Sequence, residues 1–248
     1  VAEDIANNAI TIAELAGESV DESKLKVSNA PTNGYFLSAQ SGNTGGLTWA
    51  AVSSGATSLG DLSDATTTAT SNIGLGANAV DSITTGDYNV GLGDNAGTAI
   101  TTGSYNTAVG SDAFKTNSTG ETNDAFGYYA LQANTTGSRN VAIGSRSLSA
   151  NTTANDNTAV GRDSVKANTT CTNNSALGKG SLTTNTTGDD NSALGKDALF
   201  TATTASDNTA VGFQALYSTT TGASNSALGH NSLFNNTTGG NNIAIGFS

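Results

Sequence analysis

The sequence repeats with a 17-residue period from Asn72 to the end of the chain. An Asn occupies the same place in every copy, at Asn72, Asn89, Asn106, Asn123, Asn140, Asn157, Asn174, Asn191, Asn208, Asn225 and Asn242. A Gly follows each Asn at the fourth place, and a Thr follows each of the first ten at the thirteenth. Such a period is typical of one structural unit stacked on copies of itself. It excludes most enzyme folds.

Each copy carries two short apolar segments and two turns. Counting the Asn as position 0, position 2 is Gly or Ala, position 3 is large and apolar, position 4 is Gly, and position 8 is apolar except at Gly97. Positions 11 to 14 read mostly Asn-Thr-Thr-Gly, which is turn chemistry. The pattern predicts an all-β fold, a parallel β-solenoid or β-roll in which each repeat forms one coil with two short strands. Coils ~4.8 Å apart would stack identical side chains into ladders.

The composition predicts a thin core and more than one chain. The sequence has 30 Gly, one Pro and no Met, and its large aliphatic residues are sparse. Position 2 is small throughout while position 3 is large, which indicates one face inside the coil and another against a second chain. A symmetric homo-oligomer would supply the missing core. We expect a homotrimer, with three chains around the long axis.

Charge and hydropathy narrow the range of partners. The formal net charge is −11, so the surface should repel phosphate backbones, and we expect no nucleic-acid partner. No apolar run approaches the ~20 residues of a membrane-spanning helix. The sequence lacks an initiator Met and a signal-like apolar segment, and we interpret it as a processed or partial chain.

The residues that usually carry catalysis or bind metals are scarce. With one His and one Cys, the chain offers no zinc set and no nucleophilic triad. Cys171 stands where other copies carry Gly or Ala, which indicates a small buried residue. Most carboxylates fall on outward or turn positions and are interpreted as solvated charges rather than a glycosidase pair. We therefore expect no catalytic residue, no cofactor and no metal.

Three repeat units carry a resemblance to known proteins. The units Asn106–Gly110 (NTAVG), Asn140–Gly144 (NVAIG) and Asn191–Gly195 (NSALG) resemble the head repeats of trimeric autotransporter adhesins, the YadA-like head. Similar repeats occur in bacteriophage tail fibres. The resemblance covers residues 72–248 and implies a trimeric left-handed parallel β-roll. The period of this chain is somewhat longer than is usual in the adhesin heads.

The part of the chain before Asn72 favours the tail-fibre branch of this resemblance. Apolar residues stand five apart at Ile5, Ile10, Leu15, Val20 and Leu25, which resembles the short-period shafts of phage fibres. We predict a trimeric shaft at 1–30, a β-hairpin linker module at 31–71 and the solenoid at 72–248. The hairpin is predicted from two apolar runs around a Gly-rich turn. An ordinary small β-domain is the alternative for 31–71.

The last coils are neutral and aromatic. Residues 208–248 contain no Lys, Arg, Asp or Glu. Two aromatic columns are predicted there, at position 5 and at position 9, and they are the candidate receptor-binding residues: Phe213, His230 and Phe247, then Phe200, Tyr217 and Phe234. Their rings suit stacking on sugars. Filling of a trimer interface, or docking of a further C-terminal domain, would explain the same residues.

The function expected from these patterns is attachment. The chain resembles the rod of a phage tail fibre, located in the virion tail and extracellular. Its N-terminal side would join the virion tail or an adaptor protein, and its distal end would contact a host cell-surface glycan or protein. A bacterial trimeric surface adhesin with the same fold is the second hypothesis. An ice-binding solenoid is the third, although adjacent Thr pairs in a turn argue against it.

Overall fold

The computed structural model describes residues 35–39, 47–51, 65–66 and 71–247, and the chain divides into two compact units, 1–57 and 58–248. In the first unit, strands β1 (Tyr35–Ala39) and β2 (Leu47–Ala51) pair antiparallel, with the Cα of Leu37 opposite that of Trp49. This is the pairing that the hairpin prediction requires. The predicted shaft at 1–30 lies outside the described residues.

The second unit is a β-solenoid with one coil for each sequence repeat, as predicted. Among the described residues of this unit the sheet has twelve strands, and eleven of them are parallel and follow one another in chain order. A two-residue strand, β3 (Ala65–Thr66), precedes the repeats and pairs antiparallel with the first of them. The eleven parallel strands cover positions 1 to 3 of each copy: β4 (Ile73–Leu75), β5 (Val90–Leu92), β6 (Thr107–Val109), β7 (Asp124–Phe126), β8 (Val141–Ile143), β9 (Thr158–Val160), β10 (Ser175–Leu177), β11 (Ser192–Leu194), β12 (Thr209–Val211), β13 (Ser226–Leu228) and β14 (Ile243–Ile245).

The prediction of two strands in each coil is wrong. The second apolar segment, at positions 7 and 8, lies in a turn, and position 8 adopts a left-handed backbone with φ between +45° and +63° in every coil that contains it. Val80 and Phe114, at φ 45° and 53°, are examples. Bulky residues rarely adopt this region, so the sequence contained no signal for it. The left-handed turn directs the position 8 side chain into the coil, where it is buried.

The core is thin, and each coil contributes the same few inward-pointing side chains to it. Position 2 points inward, so that Ala176 packs in register between Ala159 and Ala193 of the adjacent strands. Position 7 adds a buried Ala or Ser. The largest fully buried side chains come mainly from position 8: Val80, Phe114, Leu131, Leu148, Val165, Leu182, Leu199 and Leu216. The thin, repetitive core inferred from composition is confirmed.

The Asn at position 0 closes each coil and joins it to the next. The side-chain Nδ2 of Asn123 donates to Oδ1 of Asn106 at 3.0 Å and to the carbonyl oxygen of Gly137 at 2.9 Å. Its Oδ1 accepts the backbone N–H of Asn140 at 3.0 Å. The same bonds recur along the stack, and Asn123 and Asn140 are fully buried. The predicted Asn ladder is therefore present.

The Asn-Thr-Thr-Gly turn adds two further ladders. From Asn134 to Asn168, each position 11 amide donates to the amide one coil earlier, as Asn134 does to Asn117 at 2.9 Å. The hydroxyl at position 12 donates to the carbonyl of the equivalent residue in the following coil, as Thr135 does to Thr152 at 3.0 Å. Side chains thus satisfy backbone groups at the turn.

The Gly at position 4 is required by both backbone conformation and close packing. Gly161 has φ 131°, a region that residues with a Cβ rarely adopt. A Cβ placed there would lie 2.6 Å from the carbonyl carbon of Gly178 in the next coil. A positive φ recurs at position 4 of every copy, from Gly76 to Gly246.

Replacing a ladder amide should destabilise the solenoid well beyond its own coil. Asn123→Leu removes the side-chain bonds to Asn106, Gly137 and Asn140 and leaves the buried backbone N–H of Asn140 without its acceptor. The unsatisfied group costs about 1–3 kcal/mol and each further lost bond about 1 kcal/mol, so we expect a loss of roughly 3 kcal/mol in the free energy of unfolding. Chemical denaturation followed by circular dichroism measures it. The control is Asn235→Leu at an exposed position, and equal stability of the two variants would contradict the ladder's role.

Candidate functional site

Both predicted aromatic columns are present in the last coils. At position 5, the rings of Phe213 and His230 lie 4.9 Å apart between centroids, and His230 and Phe247 are also 4.9 Å apart. At position 9, Phe200 and Tyr217 are 5.2 Å apart and Tyr217 and Phe234 are 5.0 Å apart. The position 5 rings are exposed, whereas those at position 9 are half-buried. The structure thus groups the candidate receptor-binding residues into two stacks.

Asp163 shows how the two columns are arranged around the coil. It occupies position 6, and its carboxylate contacts Arg162 of position 5 at 3.1 Å and Lys166 of position 9 at 4.0 Å. Arg146, at position 6 of the preceding coil, contacts it at 2.8 Å. Positions 5 and 9 therefore lie within reach of position 6 on the same side of the solenoid. In the aromatic coils the residues between the columns are Asp197, Gln214 and Asn231.

The position 5 column continues from the aromatic residues into a run of cations. Arg162, Lys179 and Lys196 occupy this position in the three coils before Phe213. Lys196 lies 3.6 Å from Asp197, and its Nζ lies 5.2 Å from the centroid of the Phe213 ring. Cations and aromatic rings therefore form one continuous column, with Lys196 at the junction.

Some acidic residues of these coils pair with cations and others do not. Asp163 and Asp197 pair as described, and Asp156 binds Arg139 through two bonds of 2.7 and 2.8 Å. Among residues 71–247, Asp190 and Asp207 form no ion pair. Burial disfavours ionisation of Asp163, but Arg146, Lys166 and Arg162 outweigh it and hold the pKa of this carboxyl below its ordinary value of 3.8.

The described residues contain no group of three or more His, Cys, Asp and Glu side chains placed to hold a metal ion. The carboxylate of Asp189 accepts the backbone N–H of Thr172 at 2.6 Å. Cys171 is buried, as its place in the repeat predicts, and its thiol donates to the carbonyl of Thr186. Burial raises the pKa of Cys171 to about 11, so the reactive thiolate is disfavoured.

Sequence reasoning missed two features of the solenoid. Tyr88 and Tyr105, both exposed, stack with centroids 5.0 Å apart at position 16 of the first coils. The sequence contained a signal for this stack, because both Tyr residues occupy position 16 of successive repeats. The side-chain Oδ1 of Asn231, between the two aromatic columns, is buried and has no hydrogen-bond partner among the described residues. No sequence pattern distinguishes that amide from its neighbours.

The outer face of the parallel sheet carries a continuous apolar stripe. Positions 1 and 3 point away from the core. Position 1 is mostly Ser or Thr and includes the exposed Asp124, whereas position 3 forms the apolar stripe, in which Leu177, Leu194 and Leu228 are 49%, 45% and 48% exposed. Side chains of neighbouring strands form shallow apolar grooves, one of them lined by Val160, Leu177, Leu194 and Val211. The small residue at position 2 faces inward and the large one at position 3 faces outward. We define positions 1 and 3 of β4 to β14 as the outer sheet face.

Comparison of the chain with protein-family models, with curated proteins and with solved structures gave no match. Within the described part of the chain, no helix is long and apolar enough to cross a membrane. The functional argument therefore depends on the two surfaces described above: the outer sheet face with its apolar stripe at position 3, and the column of cations and aromatic rings.

Neutralising Asp163 should destabilise the solenoid in a pH-dependent way. Because its folded pKa is depressed, ionised Asp163 stabilises the fold at neutral pH, and this contribution disappears as the pH falls below 3.8 through the folded pKa. Asp163→Asn should lose roughly 2 kcal/mol at neutral pH and converge with the unmodified protein in acid.

Urea denaturation across the pH range measures this effect. Asp207→Asn is the matched control, because Asp207 is also acidic and left-handed but exposed. A deficit of Asp163→Asn that persisted unchanged in acid would show that the ion pairs are not its cause.

Proposed function

We propose that this chain is a structural attachment protein, the rod of a homotrimeric bacteriophage tail fibre that binds a bacterial cell surface. The observation that carries the proposal is the exposed apolar stripe on the outer sheet face. The resemblance of the repeats to adhesin heads and tail fibres supports it. In this proposal the protein is extracellular, in the virion tail, and is not an enzyme.

The outer sheet face supports assembly of several copies. Parallel sheets are normally covered on both faces, yet here only the inner face is covered by the chain's own core. Position 3 is apolar in every coil from Leu75 to Ile245, and long exposed apolar patches mark interaction sites. A second copy presents the same stripe with the same spacing, so identical chains match each other along the whole solenoid. The number three comes from the resemblance.

The remaining surface supports attachment. The candidate receptor-binding columns begin at position 5, after the bend at position 4, so covering the outer sheet face leaves them outside. In a trimer each column occurs three times, and weak contacts would add up through avidity. The N-terminal side would join the virion tail or an adaptor protein, and the distal coils would contact a glycan or protein of the host.

A bacterial surface adhesin is the second candidate, because the same apolar stripe and columns would serve it equally well. Genes for other virion proteins beside this one would favour the tail fibre, whereas a membrane-anchor domain downstream would favour the adhesin. Ice binding is less well supported. The position 12 hydroxyls, such as that of Thr135, donate to carbonyl groups of the next coil and are not free to order water. Thermal hysteresis in a freezing assay would contradict this preference.

A charge at position 3, on the apolar stripe of the outer sheet face, should prevent assembly without unfolding the coil. Leu177 is half-exposed in the single chain, so Leu177→Asp is tolerated there, but a trimer would bury the carboxylate without a partner at a cost of several kcal/mol. We expect a folded monomer by light scattering coupled to gel filtration. Thr170→Asp, exposed on a turn near the same coil, should remain a trimer. A monomeric wild-type protein would refute the assembly.

A cell-binding experiment tests the attachment proposal. The fluorescently labelled wild-type trimer should bind cells of the host strain and compete with virions for adsorption. The monomeric Leu177→Asp variant should bind more weakly, because avidity is lost. Wild-type trimers that bind no strain of a broad host panel would contradict an attachment role.

A further inference from the structure

We infer that the column of position 5, from Arg162 to Phe247, binds an anionic glycan that lies extended along the stack of coils. This inference depends on the proposed attachment function and specifies its ligand class. The cations would hold the acidic groups of the glycan, and the aromatic rings would contact its sugars. No single coil makes the site, because each coil contributes one side chain to the column.

The surface around the cationic half of the column has a positive net charge, although the whole chain is acidic. In the four consecutive coils that start with the one at Asn140, positions 5, 6 and 9 carry five cations and two aspartates, a local excess of three positive charges: Arg146, Arg162, Lys166, Lys179 and Lys196 against Asp163 and Asp197. The whole chain has a net charge of −11. Such a local field attracts anions that the rest of the surface would repel.

The spacing of this column suits a polymer better than a small ion. Neighbouring members are one coil apart, and the ring centroids that measure this step are 4.9 Å apart. One sugar unit of an extended glycan is close to this length, so successive units can meet successive side chains without bending. A single phosphate or carboxylate would use only one or two of the cations.

The aromatic half offers surfaces for sugar rings. A centroid separation of 4.9 Å is longer than the contact distance of stacked rings, about 3.5–4.0 Å. The rings of Phe213 and His230 are therefore offset, and each leaves part of a face uncovered. Phe247 is 82% exposed. Apolar faces of sugars pack on such surfaces. The absence of acidic residues in 208–248 keeps this half from repelling an anionic chain.

Polar groups beside the rings would fix the orientation of the sugars. Position 6 places Gln214 and Asn231 between the exposed column and the half-buried column of Tyr217 and Phe234. The side-chain amides of these two residues can both donate hydrogen bonds to sugar hydroxyls and accept hydrogen bonds from them.

Paired variants of the full chain test the two halves of the column. Lys179→Gln with Lys196→Gln removes the cations, and Phe213→Ser with His230→Ser removes the exposed rings. Lys115→Gln and Tyr105→Ser are matched controls, because they remove a cation and a stacked ring elsewhere on the solenoid. Circular dichroism and light scattering confirm that every variant is folded and assembled.

The probes are oligogalacturonates of increasing length, polysialic acid and neutral dextran, each titrated by calorimetry. We expect binding of an acidic probe, tighter with length, and no binding of dextran. Each double variant should weaken the Kd roughly tenfold while the controls do not, because exposed charge and ring contacts each contribute modestly. Raising the ionic strength from about 0.05 M to about 0.5 M should weaken binding by the wild-type protein.

Three results would overturn the inference: dextran binding as tightly as the acidic probes, neither acidic probe binding at all, or acidic binding that both double variants retain. A host-cell binding assay distinguishes a failure of this inference from a failure of the attachment proposal. Wild-type trimers that bind cells while both double variants bind them equally well would leave attachment standing and reject this column as its site. Wild-type trimers that bind acidic glycan but no cells would reject attachment and support the column.

Discussion

The buried ladder of position 0 amides is the interaction on which the rest of the solenoid depends. Each amide, such as Asn123, bonds across its own coil to the position 14 carbonyl and along the stack to the Asn before and after it. Buried amides cost free energy unless all of these bonds form. The ladder therefore closes every coil with the same length and holds each one in register with its neighbours.

A fixed register turns every position of the repeat into a column. Inside the coil, this produces the thin core of position 2 and position 8 side chains. On the surface, the residues that successive coils carry at one position lie in a row, with about 4.8 Å between neighbouring coils. The apolar stripe and the column of cations and rings are two such rows. Single substitutions at a surface position can then change the function, while the inward-pointing positions preserve the fold.

The sequence predicted the period, the parallel solenoid and the Asn ladder, because each follows from one residue type recurring at one position. It did not predict that position 8 is left-handed, because Leu148 and Val165 adopt φ 48° there only under tertiary constraint. The second strand of each coil was predicted wrongly for the same reason: an apolar pair that turns inward has the same composition as a short strand.

The two aromatic columns could be predicted from the sequence, whereas the arrangement of the residues around them could not. Aromatic residues one repeat apart, such as Phe213 and His230, must stack once the register is known, and the structure confirms this geometry. The place of position 6 between positions 5 and 9 depends on how the turn folds, and it became visible only through the contacts of Asp163. The unpaired Oδ1 of Asn231 likewise depends on side-chain packing that a repeat pattern does not encode.

The most direct test of this account is a cryo-electron microscopy structure of the purified chain. We expect three copies that meet at the outer sheet face, with Leu177, Leu194 and Leu228 buried between them. Phe213, His230 and Phe247 should face solvent on all three. Single, unassembled solenoids, or copies that bury the aromatic columns and leave the apolar stripe exposed, would contradict it.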